Sequence, residues 1–319
     1  VVTLEDLNYG GNNFYNLQPR NIYTTWWGDE LMYLDVEEGG RLSTDGQRTA
    51  LFHLSDIGTD WHSAYSATYP YADKSLVLLN NRRQRILYNF EQKKVAWSQT
   101  SRGESQADWN KVSRAVAYVK DNQLYVRTAD NEERQLTKDG SREIVYAQSV
   151  HRNEFGINKG TFWSPDGQHL AFYRMDQSMV TDYPQVNIDP RIAEMEPDKY
   201  PMAGLTSHKV TVGVYDINTH KTVYLATRTK PTVGHDPDDE GREMMGEPQE
   251  IPAFEYFTNI AWSPDSKTIY MQELTRDQNE CHLVAYDAVN GKLLKDLCHE
   301  YNGRYVEPLP PIQLLPWDS

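Results

Sequence analysis

Ser149-Val-His-Arg-Asn-Glu-Phe-Gly-Ile-Asn-Lys-Gly-Thr-Phe-Trp-Ser-Pro-Asp-Gly167 decides how the chain is read, because a polar run leads directly into a unit that recurs. Pro165-Asp-Gly167 is a turn signal, and Leu170-Ala-Phe-Tyr-Arg174 after it is rich in aromatic and apolar strand formers. The same order returns as Trp262-Ser-Pro-Asp-Ser-Lys-Thr-Ile-Tyr-Met-Gln272, and more weakly as Trp109-Asn-Lys-Val-Ser-Arg-Ala-Val-Ala-Tyr118. Each copy is followed by a second signature that reads as a hairpin: 124–137, 212–225 and 283–297, the last two turning at an aspartate.

Four short strands per unit, with a tryptophan near the start and a hairpin at the end, is the pattern of a β-propeller blade. The spans 23–59, 59–100, 109–137, 163–225 and 262–297 give about five blades, so the expected class is all-β. A mixed solenoid or a sandwich is the alternative, and the likeness of the repeats weighs against the sandwich. The tryptophan spacings differ, 54 residues (109 to 163) and 99 (163 to 262), because 175–207 and 230–253 insert between blade strands. The first insertion carries Tyr-Pro, Asp-Pro, Glu-Pro and Tyr-Pro dipeptides, which break any long regular element and predict an ordered extended loop. The second, around Gly234-His-Asp-Pro-Asp-Asp-Glu-Gly, is acidic and is expected to be a solvated excursion. At the N-terminus, Thr3-Leu-Glu-Asp6 has the form of a cap opening a brief helix that Gly10-Gly11 ends, and 23–27 with 30–35 reads as a tight hairpin.

Composition excludes several classes of function. A net charge of −14 with no Lys/Arg-rich run argues against a nucleic-acid partner. Mean hydropathy of −0.73 and the lack of any apolar run near ~20 residues leave no membrane-spanning helix to expect. The first residues have neither a basic flank nor an apolar signal region, as in a mature or trimmed chain. The 21 Tyr and 8 Trp suit two-faced strands. Cys281 and Cys298 have no zinc-like ligand spacing, so neither a metal nor another cofactor is expected. Gly-x-Ser-x-Gly, a phosphate loop, a dinucleotide fingerprint and His-Glu-x-x-His are all missing from the sequence, and the nine histidines show no acid–base pairing along it.

The segments 151–157, 159–165, 171–180, 200–204 and 305–309 resemble the N-terminal propeller of bacterial prolyl peptidases, most closely the prolyl tripeptidyl peptidases and more loosely dipeptidyl peptidase IV. The likeness runs from about Thr3 to the C-terminus, with 230–253 as an extra segment. It implies an eight-bladed propeller joined to a C-terminal α/β-hydrolase domain that carries a Ser-Asp-His triad, of which this chain would be the first part and inactive alone. It further implies an exported, periplasmic or extracellular enzyme acting on peptides with a free N-terminus and a proline at the cleavage site, with a homodimer compatible. In that family an acidic segment of the propeller holds the substrate α-amino group, and Glu154 falls there. A fixed carboxylate paired with a buried ammonium measures the distance to the scissile bond. Dipeptidyl peptidases resemble one another in having two adjacent glutamates, whereas this sequence has Arg152-Asn153-Glu154, which favours tripeptide release. Asn153 is either a second polar contact at that locus or a turn residue, and Arg152 reads as surface or scaffold. The rival reading is a non-catalytic propeller that binds protein or glycan, since fold alone does not determine function.

One geometric expectation concerns the cysteines. Asp287-Ala-Val-Asn-Gly-Lys292 reads as a hairpin loop with Gly291 at positive φ, and counting outward six residues along each strand pairs Cys281 with Cys298. Directly opposed residues come within disulfide range, with two unlinked thiols as the alternative.

Overall fold

The computed structural model describes residues 3–11, 13–17, 21–228, 254–308 and 310–315. Val1–Gly103 and Glu104–Ser319 form two compact units. In the first, helix α1 (Leu4–Leu7) is capped as its sequence predicts: the Asp6 backbone N–H donates to Thr3 Oγ1 (3.3 Å) and the Thr3 N–H donates back to the Asp6 carboxylate (2.7 Å). Tyr23–Trp27, Glu30–Leu34, Glu38–Leu42 and Arg48–His53 (β1 to β4) make a four-stranded antiparallel sheet, with Trp27 opposite Glu30 across the turn at Gly28 (φ 58°). Leu76–Asn80, Gln84–Asn89 and Lys94–Thr100 (β5 to β7) make a second, and a bridge from Thr68 to Leu78 stands in for its fourth strand. Leu34, Phe52, Val77, Leu79, Ile86 and Tyr88 supply the buried faces.

Among its described residues the second unit holds three blade sheets and two short two-stranded ribbons. Ser105–Trp109, Val116–Lys120, Gln123–Arg127 and Glu133–Gln135 (β8 to β11) form one blade. The next contains Ile144–Tyr146, Thr161–Trp163 and His169–Asp176 (β12 to β14). It continues, after short ribbons at Asp182–Tyr183, Val186–Asn187, Glu194–Met195 and Asp198–Lys199 (β15 to β18), with Lys209–Asp216 and Lys221–Tyr224 (β19, β20). Phe254–Trp262, Thr268–Thr275, Glu280–Asp287 and Leu293–Tyr301 (β21 to β24) form the last. Counting both units, the described residues contain five consecutive antiparallel blade sheets. The proline-rich insertion is the pair of ribbons β15–β18 and β16–β17. The acidic insertion at 230–253 lies outside the described residues.

The repeated sequence becomes repeated hydrogen bonding. The Ser164 hydroxyl donates to Asp166 (2.5 Å) and accepts from the His169 N–H (2.9 Å), while Ser263 does the same with Asp265 (2.6 Å) and Thr268 (2.9 Å). Each turn then needs one residue at positive φ, Gly167 (69°) or Ser266 (62°). The tryptophans tie blade to blade: Trp262 Nε1 donates to the Phe162 carbonyl (3.0 Å), and Trp163 Nε1 to the Asp108 carbonyl (2.9 Å), in each case the residue before the equivalent tryptophan. Asp216 and Asp287 open their hairpins by accepting from backbone N–H groups two and three residues on, which is why those aspartates mark turns in the sequence.

The expected Cys281–Cys298 pairing does not hold. The loop is as predicted, with the Asp287 N–H donating to the Lys292 carbonyl (2.9 Å), Gly291 at φ 74°, and Tyr286 opposite Leu293. Irregularities between Ala285 and Tyr286 and between Leu283 and Val284 then each add one residue to β24, at Leu294 and Leu297. The register therefore slides by two, placing Cys281 opposite Glu300 and Cys298 opposite Leu283. Cys281 is buried, Cys298 is exposed, and both are free thiols.

Candidate functional site

The polar run that precedes Trp163 is a loop extruded from the middle of a strand. β12 and β13 both pair with β14, Tyr146 opposite Arg174 and Thr161 opposite Phe172, so they are two halves of one blade strand. Between them Tyr173 bridges the break: its N–H donates to the Gly160 carbonyl (3.0 Å) and its carbonyl accepts from the Ala147 N–H (2.9 Å). The neck is so tight that a Cβ at Gly160 would lie 2.3 Å from the Ala147 carbonyl carbon, which explains the glycine.

The tip of this loop is the turn His151–Gly156, and its backbone is unusual. His151, Arg152, Asn153 and Phe155 all have φ between 52° and 65°, while Glu154 alone returns to the extended region (φ −64°, ψ 160°). Left-handed conformations cost non-glycine residues roughly 1–2 kcal/mol each, so the surroundings must hold the turn in place. Phe155 is 4% exposed, its ring centroid 5.0 Å from that of Tyr256 in a cluster with Leu274, Cys281 and Val306. His151 is 3% exposed and stands edge-on to Tyr256 at 4.7 Å. Thr258 Oγ1 donates to the Phe155 carbonyl (2.9 Å). Ser149 Oγ donates to Asn153 Oδ1 and to the Ile157 carbonyl (3.1 Å), closing the base of the loop.

These anchors leave Glu154 exposed, and it lines a cavity of about 150 Å³ together with buried His151, His208 and Tyr256 and with Tyr200 and Arg276. Burial pushes the His151 imidazole down to about 3 and lowers His208 as well, assisted by the positive charges nearby, so both are neutral near pH 7. Both ring nitrogens of His151 lack a hydrogen-bond partner among the described residues. Arg152 is spoken for: it donates to Asp198 (2.7 Å) and lies over the Tyr200 ring, tying the turn to the base of the ribbons. Arg276 donates to the Tyr256 hydroxyl. Tyr305 is pushed above the ordinary tyrosine value by desolvation, by its hydrogen bond to Glu307 and by the charges of Glu307 and Glu154, so Glu154 acts on the 305–307 segment. The arrangement offers one carboxylate for a cation and one guanidinium for carbonyl oxygens.

Comparison with known proteins agrees with this architecture. The family model described as the dipeptidyl peptidase IV N-terminal region matches residues 48–319. The chain belongs to that family. "Probable dipeptidyl-aminopeptidase B" of Phaeosphaeria nodorum is 26% identical over 91% of this chain and 34% of its own length, and its namesake from Emericella nidulans 24% identical over 91% and 33%. A solved structure from Bacteroides ovatus, assigned as a dipeptidyl aminopeptidase IV, is 38% identical and superposes with a TM-score of 0.78 over 99% of this chain and 42% of its own. Porphyromonas gingivalis dipeptidyl peptidase 4 shares the fold, with a TM-score of 0.65 at 19% identity over 91% of this chain and 41% of its own. The chain thus spans about a third of the length of these curated relatives.

Of the residues singled out by sequence, Glu154 and Asn153 lie together on the His151–Gly156 turn, Glu154 lining the cavity and Asn153 bonded to Ser149 at the loop base. Cys281 lies under Phe155 in the same cluster. His208, Tyr256 and Arg276 had no local signal, since they come from the loop before β19, from β21 and from the turn after β22, which meet only in the folded blades.

Proposed function

We propose that this chain is the propeller part of a serine exopeptidase cleaving after proline, and that Glu154 holds the free α-amino group of the peptide at the rim of the cavity. What carries the reading is the turn: four left-handed non-glycine residues, fixed by buried Phe155 and His151, flank one exposed glutamate in extended conformation. A carboxylate on so constrained a backbone can fix a distance, which an exopeptidase needs. Arg276, on the same cavity, is placed to donate to a peptide carbonyl. The nucleophile belongs to a C-terminal α/β-hydrolase domain of the same protein, and the lone glutamate favours tripeptide over dipeptide release. The enzyme works in the periplasm or outside the cell. The names of the relatives, all dipeptidyl peptidases or aminopeptidases, support the reaction class and leave the length of the released peptide to experiment.

The test uses the intact protein with Xaa-Xaa-Pro and Xaa-Pro amides, each with a free or an acetylated N-terminus. Hydrogen bonds to charged groups contribute about 1.5–3 kcal/mol, so Glu154→Gln should lower kcat/KM for free-amine substrates roughly ten- to hundredfold and leave the acetylated ones alike. A change within twofold places the anchor elsewhere. The wild-type preference between the two lengths gives the peptide released, and no turnover of any of them by the intact protein returns the binding-module reading.

A further inference from the structure

A second constellation lies on the last blade, away from the Glu154 turn. Glu280 and His282 are two apart on β23 and so share a face, and His299 on β24 is the direct cross-strand partner of His282. Their ligating atoms all lie within 4.8 Å of one another. His282 Nε2 is 3.1 Å, and His299 Nε2 3.3 Å, from the same Glu280 oxygen, and the two rings stack with centroids 4.3 Å apart. Tetrahedral zinc sites with bonds near 2.0–2.1 Å have ligand–ligand edges of about 3.3 Å, which the two separations from Glu280 match.

The far side of His282 points the same way. Its Nδ1 is 2.6 Å from Asp296 Oδ2, so a proton on Nδ1 donates there while Nε2 faces Glu280. Two acceptors facing each other at 3.1 Å need a second ring proton or a cation between them. A carboxylate behind a metal-binding histidine is the usual means of fixing its tautomer and orientation. Asp296 reaches that position only through the extra residue at Leu297: it is three positions from His299, which in a regular strand would put the two on opposite faces, yet it stands opposite Val284, on the face of His282. Arg228 donates to Asp296 (2.9 Å) and to buried Glu273 (2.9 Å), offsetting their charge and holding Asp296 in place.

We propose that Glu280, His282 and His299 bind a divalent transition metal of the zinc class, with Asp296 as the positioning residue behind His282 and the fourth position left to water or an outside ligand. The sequence shows none of this, because the spacing of the three ligands matches no linear zinc motif and the parity of Asp296 is set by a bulge. The metal would staple β24, all of whose residues are exposed, to β23.

The experiment is calorimetric titration of the intact protein, stripped of metal with a chelator and dialysed, with zinc chloride, and with calcium and magnesium chlorides as hard-cation controls. One equivalent of zinc should bind in the micromolar range or tighter, unaffected by calcium or magnesium, and should raise the melting temperature. His299→Ala, at a half-exposed position that should fold normally, and Glu280→Gln should each weaken binding at least tenfold. Asp296→Asn should weaken it about 10- to 100-fold. All three should lose the zinc-dependent rise in melting temperature. Binding unchanged in His299→Ala overturns the assignment. So does a wild-type protein that takes up no stoichiometric zinc at millimolar concentration, and the cluster is then a polar network that only ties β23 to β24.

Discussion

Replacing Phe155 by alanine and by glycine tests the turn that presents Glu154. The ring is 96% buried against Tyr256, Leu274, Cys281 and Val306, and removing a buried phenylalanine costs about 3–5 kcal/mol. Both variants lose the ring, and both keep the backbone bond from Thr258 to residue 155. They differ in what φ of 55° demands. Alanine there retains a left-handed penalty of roughly 1–2 kcal/mol, which glycine escapes. Glycine gives back roughly 0.5–1 kcal/mol through the greater freedom of its unfolded chain. The glycine variant should therefore be about 0–1.5 kcal/mol more stable than the alanine variant, reversing the usual order. Denaturant unfolding of the intact protein, followed by tryptophan fluorescence, reads the difference. kcat/KM for free-amine peptides should fall in both, because Glu154 loses its anchor. If alanine proves more stable than glycine by about 1 kcal/mol, the usual margin between them, residue 155 is not left-handed and the presentation of Glu154 has been misread.

Two further outcomes follow from the same unit. His151 titrates near 3 when folded and near 6.5 when unfolded, so between those values the unfolded chain binds the extra proton and stability falls as pH falls, by up to about 1.4 kcal/mol per pH unit; His208 acts in the same direction, and His151→Gln should flatten the dependence of melting temperature between pH 7 and 5, an unchanged slope counting against the assignment. Trp262→Phe removes the donor to the Phe162 carbonyl and should cost about 1–3 kcal/mol in denaturant unfolding, whereas a loss under about 0.5 kcal/mol would show that carbonyl satisfied by other means.

The blades could be read from sequence because their turns are encoded within five residues: Ser164 with Asp166 and Ser263 with Asp265 make the bonds that the repeated Trp-Ser-Pro-Asp implies. Asp216 and Asp287 likewise fix their hairpins locally. Glu154 was another matter, since from residues alone it is one polar side chain in a polar run, and only the resemblance singled it out. The break between β12 and β13 leaves little trace beyond Gly160, because each half is a three-residue strand and both share one partner, β14. The rest of the cavity lining left none, as His208, Tyr256 and Arg276 converge from chain positions 57 (151 to 208) to 125 (151 to 276) residues beyond His151.

The extra residues at Leu294 and Leu297 show why the remainder resists reading. Strand parity can be counted from sequence, and the count from the Asp287 loop is correct as far as Tyr286 opposite Leu293. Beyond that, each extra residue in β24 flips which side chains share a face, and no glycine or proline marks either position in this strand. A single flip at Leu297 gathers Asp296 and His299 onto the face of His282, while the two together separate Cys298 from Cys281. A wrong cysteine pairing and an unforeseen histidine cluster therefore have one physical cause. Both extra residues fall in the exposed edge strand, while on β23 Val284 and Tyr286 remain in the core opposite Met271 and Ile269, so the burial pattern that sequence can follow is kept and the register of the edge is free to shift.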